Sequence, residues 1–316
     1  MMIVFALFLF AVVGQCSSFI EAPEELVNIL GGTDSRYDLS TGGVLPFICR
    51  PWGFNAYAPM TDDDSNYKGW WFHPYDRRFF GIRVTHQPSP WIADYGNLLL
   101  RASIPATGVA ASTSSQLNND QYTGYSSKRS TFSPYYFSTQ LYAYATEKET
   151  TSLEFSPSNH GGIMRVSFPS FSDKVDEGHQ MRRISIVLNS VESDHTNIGY
   201  YGDVPVISGY TTANSGGVGE GAFAHYFVAL VYSGVDGTIP AQYVPPTTFD
   251  GSSDSSDQPS TYGSYSSNNI AWMDFAAVNP DNQILTVRFA TSFISEEQAF
   301  FNLEMEVGAK DSLVVI

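Results

Sequence analysis

The densest run of reactive side chains lies in "THQPSPWIADYGNLLL", Thr85 to Leu100, which carries His86, Gln87, Trp91 and Asp94. An imidazole, an amide, an indole and a carboxylate together supply hydrogen-bond donors and acceptors, a flat amphipathic face and a negative charge. Pro88 and Pro90 lack ladder donors, so the segment is not a core strand. It reads as an ordered loop feeding the apolar strand that follows it, and loops on rigid scaffolds are where sites concentrate. The other chemical candidates are weaker. "DGSSDSSD" (Asp250 to Asp257) spaces its carboxylates closely but lacks the downstream glutamate of an EF-hand, so it reads as a solvated acidic loop. His73, His160, His179, His195 and His225 show no His-x-x-x-His spacing and read as surface or structural, so no metal site is expected. Cys49, in "LPFICRPW", reads as a core thiol on a packed strand, and Cys16 falls at a signal-cleavage region. Neither a disulfide framework nor a cysteine metal site is available.

The elements that must position the loop are strands. "FSTQLYAYA" puts Phe137, Leu141, Ala143 and Ala145 on one face, and "SLEF" does the same with Leu153 and Phe155. "IMRVSF" aligns Met164, Val166 and Phe168; "RISIVLN" aligns Ile184, Ile186 and Leu188. The turn-rich links between them are too short for helical crossovers, so the pairing is antiparallel. "FAHYFVALVY" (Phe223 to Tyr232) is apolar on both faces and reads as a central strand, and "ILTVRFATSF" (Ile284 to Phe293) is another. The class is all-β, a large antiparallel β-sandwich. One helix is expected, at "SEEQAFFNLEMEV": Ser295 and Gln298 have capping-box spacing, and Ala299, Leu303 and Val307 form a stripe. Residues 106–130 and 247–269, rich in Ser, Gly and Asn, read as mobile insertions.

Bulk charge narrows the partners. The 316 residues hold 32 acidic and 16 basic side chains, a net charge of −16. That balance repels nucleic acid and anionic membrane surfaces and remains compatible with neutral ligands such as sugars. The N-terminus, "MMIVFALFLFAVVGQCSS", has the apolar stretch of a signal peptide and is too short to span a bilayer. A signal peptide over residues 1–18 and a secreted product are the expectation; a buried first strand is the alternative.

Several motifs then fall in a specific order. "VNILGGTDSRYDLSTGGVLPFICRPWGFNAYAP" contains Asn28, Gly32-Thr33, Pro46 and Pro51-Trp52-Gly53. Gly69-Trp70, Gly81-Ile82, Thr85-His86 and Asp94-Tyr95-Gly96 follow, then "GYTTANSGGV" (Gly209 to Val218) and "ATSFISEEQAFFNL" (Ala290 to Leu303). This series resembles the N-terminal domain of glycoside hydrolase family 92, mainly α-mannosidases, over residues 27–303. The resemblance implies a supersandwich of the galactose-mutarotase kind. It also implies that a helical (α/α)6 domain, carrying the general acid, the general base and most groups around a catalytic Ca²⁺, lies beyond a linker starting at residues 304–316. An inverting hydrolase needs two carboxyl groups about 6.5–9.5 Å apart. On the resemblance these belong to the helical domain, so no catalytic residue and no cofactor is expected within this chain, which should be inactive alone.

What the resemblance leaves here is substrate contact with an α-mannoside or N-glycan. Trp91 is either a rim aromatic for a sugar's C–H face or a plug for the sandwich end. Asp94 either accepts from sugar hydroxyls or caps the turn before "YGNLLL". His86 either meets the sugar or is a buried, satisfied histidine; Gln87 sits near the loop apex. Asn214 and Ser215 precede Gly216 and Gly217 in a loop near the same pocket. The competing reading is a stand-alone, lectin-like carbohydrate-binding sandwich.

Overall fold

The computed structural model describes residues 22–34, 44–61, 71–86, 98–104, 123–142, 149–170, 181–188, 194–213, 224–234, 236–244, 264–266, 269–277 and 279–308. In chain order the strands are β1 (Ala56–Met60), β2 (Arg78–Phe79), β3 (Gly81–Thr85), β4 (Leu98–Ser103), β5 (Thr123–Gly124) and β6 (Ser130–Ser133). Then come β7 (Tyr136–Tyr142), β8 (Glu149–Pro157), β9 (Gly161–Ser167), β10 (Met181–Val187), β11 (His195–Tyr201) and β12 (Val204–Thr211). The series ends with β13 (His225–Ser233), β14 (Ile239–Pro240), β15 (Ser264–Ser266), β16 (Ile270–Ala276) and β17 (Ile284–Ser292), followed by the helix α1 (Glu296–Val307).

These strands form two sheets. One has six strands in the order β1-β3-β4-β10-β16-β15; the other runs β11-β12-β13-β17-β9-β8-β7-β5-β2, with β14 added beside β13 and β6 beside β7. Neighbours pair antiparallel, as in Ile184 opposite Met273 or Leu230 opposite Arg288. Period-two alternation explains the core. Ile184 and Ile186 of β10, Met273 and Phe275 of β16 and Leu98 and Leu100 of β4 turn inward from the smaller sheet. They meet Phe137, Leu153, Phe155, Met164, Val166, Phe227, Val287 and Phe289 from the larger one. β13 is central, as its two apolar faces require: Phe227, Ala229 and Val231 enter the core, while Val228 and Leu230 face α1.

The helix closes a third layer. Ala299, Leu303 and Val307 are buried against Ile163, Val206, Val228, Leu230 and Ala290 on the outer face of the larger sheet. Residues 304–307, expected to begin a linker, form its last turn, and Val307 is buried. The cap is one-sided. Ser295 Oγ accepts from the Gln298 backbone N–H at 3.1 Å, but the Gln298 side chain donates to Asn302 Oδ1 at 2.9 Å instead of reaching back. Ser295→Ala should lower unfolding free energy by about 1 kcal/mol, and Ser295→Asp should restore it. Urea denaturation checks this; an unchanged midpoint in the alanine variant would mean that packing alone holds the helix.

Two local expectations are corrected. Residues 123–130 are ordered, not part of a mobile insertion: they form β5, a 3-10 turn at Ser127–Arg129 and the first residue of β6. The Ser264–Ser266 segment likewise pairs with β16. Cys49 is half-buried in an irregular segment rather than on a strand, its N–H donating to Pro134 O at 2.7 Å, and partial burial raises its thiol pKa. An unactivated thiol of this kind is a poor nucleophile. No helix among the described residues is long and apolar enough to cross a membrane.

Candidate functional site

Six element ends converge at one end of the sandwich. His86 follows β3, Phe54 and Asn55 precede β1, His160 sits in the β8–β9 turn, His225 opens β13, Phe293 follows β17 and Glu306 lies in the last turn of α1. Phe54 is the hub. Its ring centroid lies 4.8 Å from that of His86, 5.2 Å from His160 in a stacked arrangement, 6.4 Å from His225 and 4.9 Å from Phe293. Phe293 in turn meets His86 edge-on at 5.2 Å and His225 at 4.7 Å. Such tilted and edge-on contacts suit the ring quadrupoles.

The turn carrying His160 is held by close backbone approach. A Cβ on Gly161 would lie 1.9 Å from Phe289 O, so only glycine lets β9 begin where it does. The Gly161 carbonyl accepts from Tyr57 Oη at 2.8 Å, which ties the turn to the other sheet. Asn55 Nδ2 donates to His160 O at 2.9 Å and to Thr291 Oγ1 at 2.8 Å. Glu306 then clamps His160 from the helix, accepting from its backbone N–H at 2.8 Å and from Nδ1 at 2.5 Å.

Each histidine has a distinct state. His86 Nδ1 lies 2.7 Å from Phe54 O, and since a carbonyl only accepts, Nδ1 carries the proton. In the neutral ring that leaves Nε2 as the acceptor, and the ring is only partly buried. His225 is fully buried, and burial, with a smaller contribution from the charge of His86, pushes its pKa down to about 3. It is a neutral aromatic wall at any ordinary pH. His160 is oriented by Glu306 and is half-exposed.

Of the six residues singled out from sequence, His86 is described, and it is partly buried and hydrogen-bonded to backbone, between the two readings offered for it. Gln87, Trp91, Asp94, Asn214 and Ser215 lie outside the described residues. The described ends of the two loops that carry them do meet here. β3 ends beside this cluster, and Thr211 of β12 pairs with His225. From sequence His160 and His225 read as surface or structural, because residues from separate hairpins have no spacing that would show them meeting. Trp52 was also passed over. This residue has φ +63° and its side chain is fully exposed at 102%, in the turn that leads into Phe54. A left-handed, exposed Trp is strained and uncovered, a combination that clusters at functional positions.

The arrangement offers an aromatic and imidazole rim and a hydrogen-bonding Nε2. Glu306, the carboxylate in contact with the cluster, is already engaged twice by His160. Among the described residues no group of three or more His, Cys, Asp or Glu is placed to hold a metal ion, so these residues do not fit a calcium site.

The chain is an antiparallel β-sandwich backed by one helix, with an aromatic and imidazole rim at the end where the two loops begin. Comparison with known proteins assigns it: the glycosyl hydrolase family 92 N-terminal domain matches residues 26–292. The chain belongs to this family, and the matched part is its N-terminal domain. Among solved structures, an inverting family 92 mannosidase from Bacteroides thetaiotaomicron is similar at 26% identity and TM-score 0.64, covering 90% of this chain and 33% of that one. A family 92 alpha-mannosidase from the same bacterium shares 21% identity at TM-score 0.61, covering 90% of this chain and 35% of its own. A further family 92 glycosyl hydrolase shares 16% identity at TM-score 0.62, covering 91% and 35%. The chain thus spans about a third of the length of these relatives. A comparison with curated proteins gives no match.

Proposed function

We propose that this domain lends sugar-contacting side chains to an α-mannoside or N-glycan in a secreted hydrolase, and that the 316-residue chain alone binds the sugar without cleaving it. The observation that supports this best is the fixed tautomer of His86: Nδ1 is spent on Phe54 O, and Nε2 is left to accept from a hydroxyl at the rim where both motif-bearing loops begin. Trp52 joins His86 as a stacking surface, and Gln87, Trp91, Asp94, Asn214 and Ser215 complete the contact from the loops. The acid, the base and the calcium site then belong to a helical domain resting on the sandwich. The outward side of α1 suits such a partner, because Phe301, Met305 and the preceding Ile294 are 56%, 68% and 76% exposed.

The test is an NMR titration of the chain with methyl α-mannoside, following the His86 ring and the Trp52 indole. Both signals should shift, and Trp52→Ala should weaken binding several-fold, in keeping with about 1 kcal/mol for an aromatic contact. No shift at either residue would refute the reading. In parallel, aryl α-mannosides should remain uncleaved with or without calcium; turnover abolished by a single Asp or Glu change in this chain would overturn the division of labour. A lectin-like role for the sandwich by itself is the second reading, favoured by the engagement of Glu306 with His160. It predicts the same binding with no helical partner in the mature protein.

A further inference from the structure

The outer face of the larger sheet carries a row of rings that the core does not use. His195 opens β11, Tyr210 lies opposite it on β12, and Tyr226 lies opposite Tyr210 on β13. Directly paired residues share one face of a sheet. That face is the outer one: Phe227, next to Tyr226, enters the core, while Val228 beyond it faces α1. Thr211 and His225, the neighbours of Tyr210 and Tyr226, stand at the end of the sandwich that holds the His86 rim. The row therefore lies one residue back from that end.

The rings touch one another and little else. Their centroids are 5.8 Å apart between His195 and Tyr210 and 5.6 Å apart between Tyr210 and Tyr226, with interplanar angles of 32° and 53°. A Cβ on Gly209 would lie 2.0 Å from His195 O, so glycine is what lets β11 and β12 approach here. The helix packs on Val206, Val228, Leu230 and Ala290, and among the described residues neither tyrosine belongs to an apolar cluster. His195 is exposed and both tyrosines are half-buried. Asn197, also exposed, follows His195 on the same face. Among the described residues the two tyrosine hydroxyls, the His195 ring nitrogens and the Asn197 amide make no hydrogen bond to protein.

A single cross-strand aromatic pair is explained by sheet stability alone. Three rings in line, with every polar edge left over on a face that meets water, exceed that need. Aromatic faces of this kind take the C–H face of a pyranose, and their polar tips take its hydroxyls. Neighbouring strands lie about 4.8 Å apart, close to the advance from one sugar to the next along an extended glycan, so successive sugars each meet a ring. The tilt between the rings follows the twist of the sheet and suits a chain that also twists. Ser292 ends the row on β17, and Asn197, Ser208, Val228 and Ala290 form the next one, so neither row holds a carboxylate, a lysine or an arginine. The ligand that fits is neutral.

We propose that this row is a second sugar-binding surface, which takes a neutral oligosaccharide with successive rings over Tyr226, Tyr210 and His195 and with Asn197 and the tyrosine hydroxyls on the sugar hydroxyls. It extends the sugar-binding reading above beyond a single residue of the glycan. It shares no side chain with the His86 rim, so the two readings fail separately.

Calorimetry and NMR titration of the chain with methyl α-mannoside and with an α-linked mannotriose test it. The trisaccharide should bind at least tenfold more tightly than the monosaccharide and should shift the ring signals of His195, Tyr210 and Tyr226. Tyr210→Ala should remove that gain while leaving the methyl α-mannoside shifts at His86 and Trp52 unchanged. Tyr210→Phe, which keeps the ring and loses the hydroxyl, should keep most of the gain. Tyr210→Val, a residue favoured in strands, should lose it with the sheet intact, which separates binding from stability. Added salt should leave the affinity unchanged, because no ion pair is made. A trisaccharide no tighter than the monosaccharide, or one that shifts His86 and Trp52 but none of the three row rings, would overturn the proposal and leave the rim reading standing. Shifts in the row with none at His86 or Trp52 would support it and refute the rim reading. A dimer that Tyr210→Ala dissociates, with no ring shift from the trisaccharide, would assign the face to a second copy of the chain, and the proposal would fall.

Discussion

Asp274→Asn is expected to destabilise the sandwich by about 3–5 kcal/mol, the cost of leaving a buried guanidinium without its counter-charge. Arg183 of β10 and Asp274 of β16 face each other in the ladder, and Arg183 Nε and Nη2 donate to Oδ1 and Oδ2 at 2.7 and 2.8 Å. Their side chains are 2% and 0% exposed, so water does not share the charge. The Trp272 ring, 4.7 Å from the Arg183 guanidinium, shields it further. A second cation deepens the dependence on Asp274. Arg101 of β4 is also buried, and burial together with the charge of Arg183 lowers its pKa to about 9. Removing the carboxylate charge leaves the Arg183 guanidinium buried within electrostatic reach of a second buried cation. A domain typically has about 5–15 kcal/mol in hand, so the variant should show a large fall in urea midpoint or fail to accumulate. The control is the double change Arg183→Met with Asp274→Leu, which removes both charges and should restore most of the loss. A loss below about 1 kcal/mol in Asp274→Asn would show that another group neutralises Arg183.

That same layer marks where sequence reading stopped. Inward positions such as Ile184, Ile186, Met164 and Val166 were legible because one face of each strand is apolar and the pleat has period two. Between them stand Arg183, Ser185 and Arg101, which by the same rule belong to solvent, yet they are 1%, 1% and 3% exposed. Alternation reports which face is apolar and cannot report that the polar face is also buried. The helix was legible for the opposite reason: its cap and its stripe are local signals. The site was legible only in part. "THQPSPWIADYG" drew the eye through its composition, and His86 does stand at the rim, but His160 and His225 reach it from other hairpins, and Trp52 carries no burial signal in a Pro-Trp-Gly turn. The segment at Ser127–Arg129 was misread because serine-rich composition was taken for mobility, although the Tyr125 N–H bond to Arg77 O, the Ser127 Oγ bond to Pro74 O and the packing of Arg129 on the Tyr142 ring hold it.

The buried histidine supplies the second large effect. The His225 ring titrates near 6.5 when unfolded and near 3 when folded. Between those values the unfolded chain binds a proton that the folded chain refuses, so stability is intact above about pH 6.5 and is lost as pH falls toward 3. Over the two pH units from 6.5 to 4.5 the loss should be about 2–3 kcal/mol, at about 1.36 kcal/mol per unit. Phe54 and Phe293 pack on the ring, and any positive charge on His86 disfavours a second one. Acid also neutralises part of the net charge of −16, which reduces self-repulsion and opposes this loss. The comparison that isolates the residue is therefore between the parent and His225→Phe, which extends the aromatic cluster without a titrating group. Urea midpoints measured at pH 7 and pH 4.5 should converge, with the parent losing about 2–3 kcal/mol relative to the variant on acidification. Equal pH dependence in the two proteins would mean that the ring finds a proton acceptor in the folded state, and that the wall behind His86 is a charged surface instead of an apolar one.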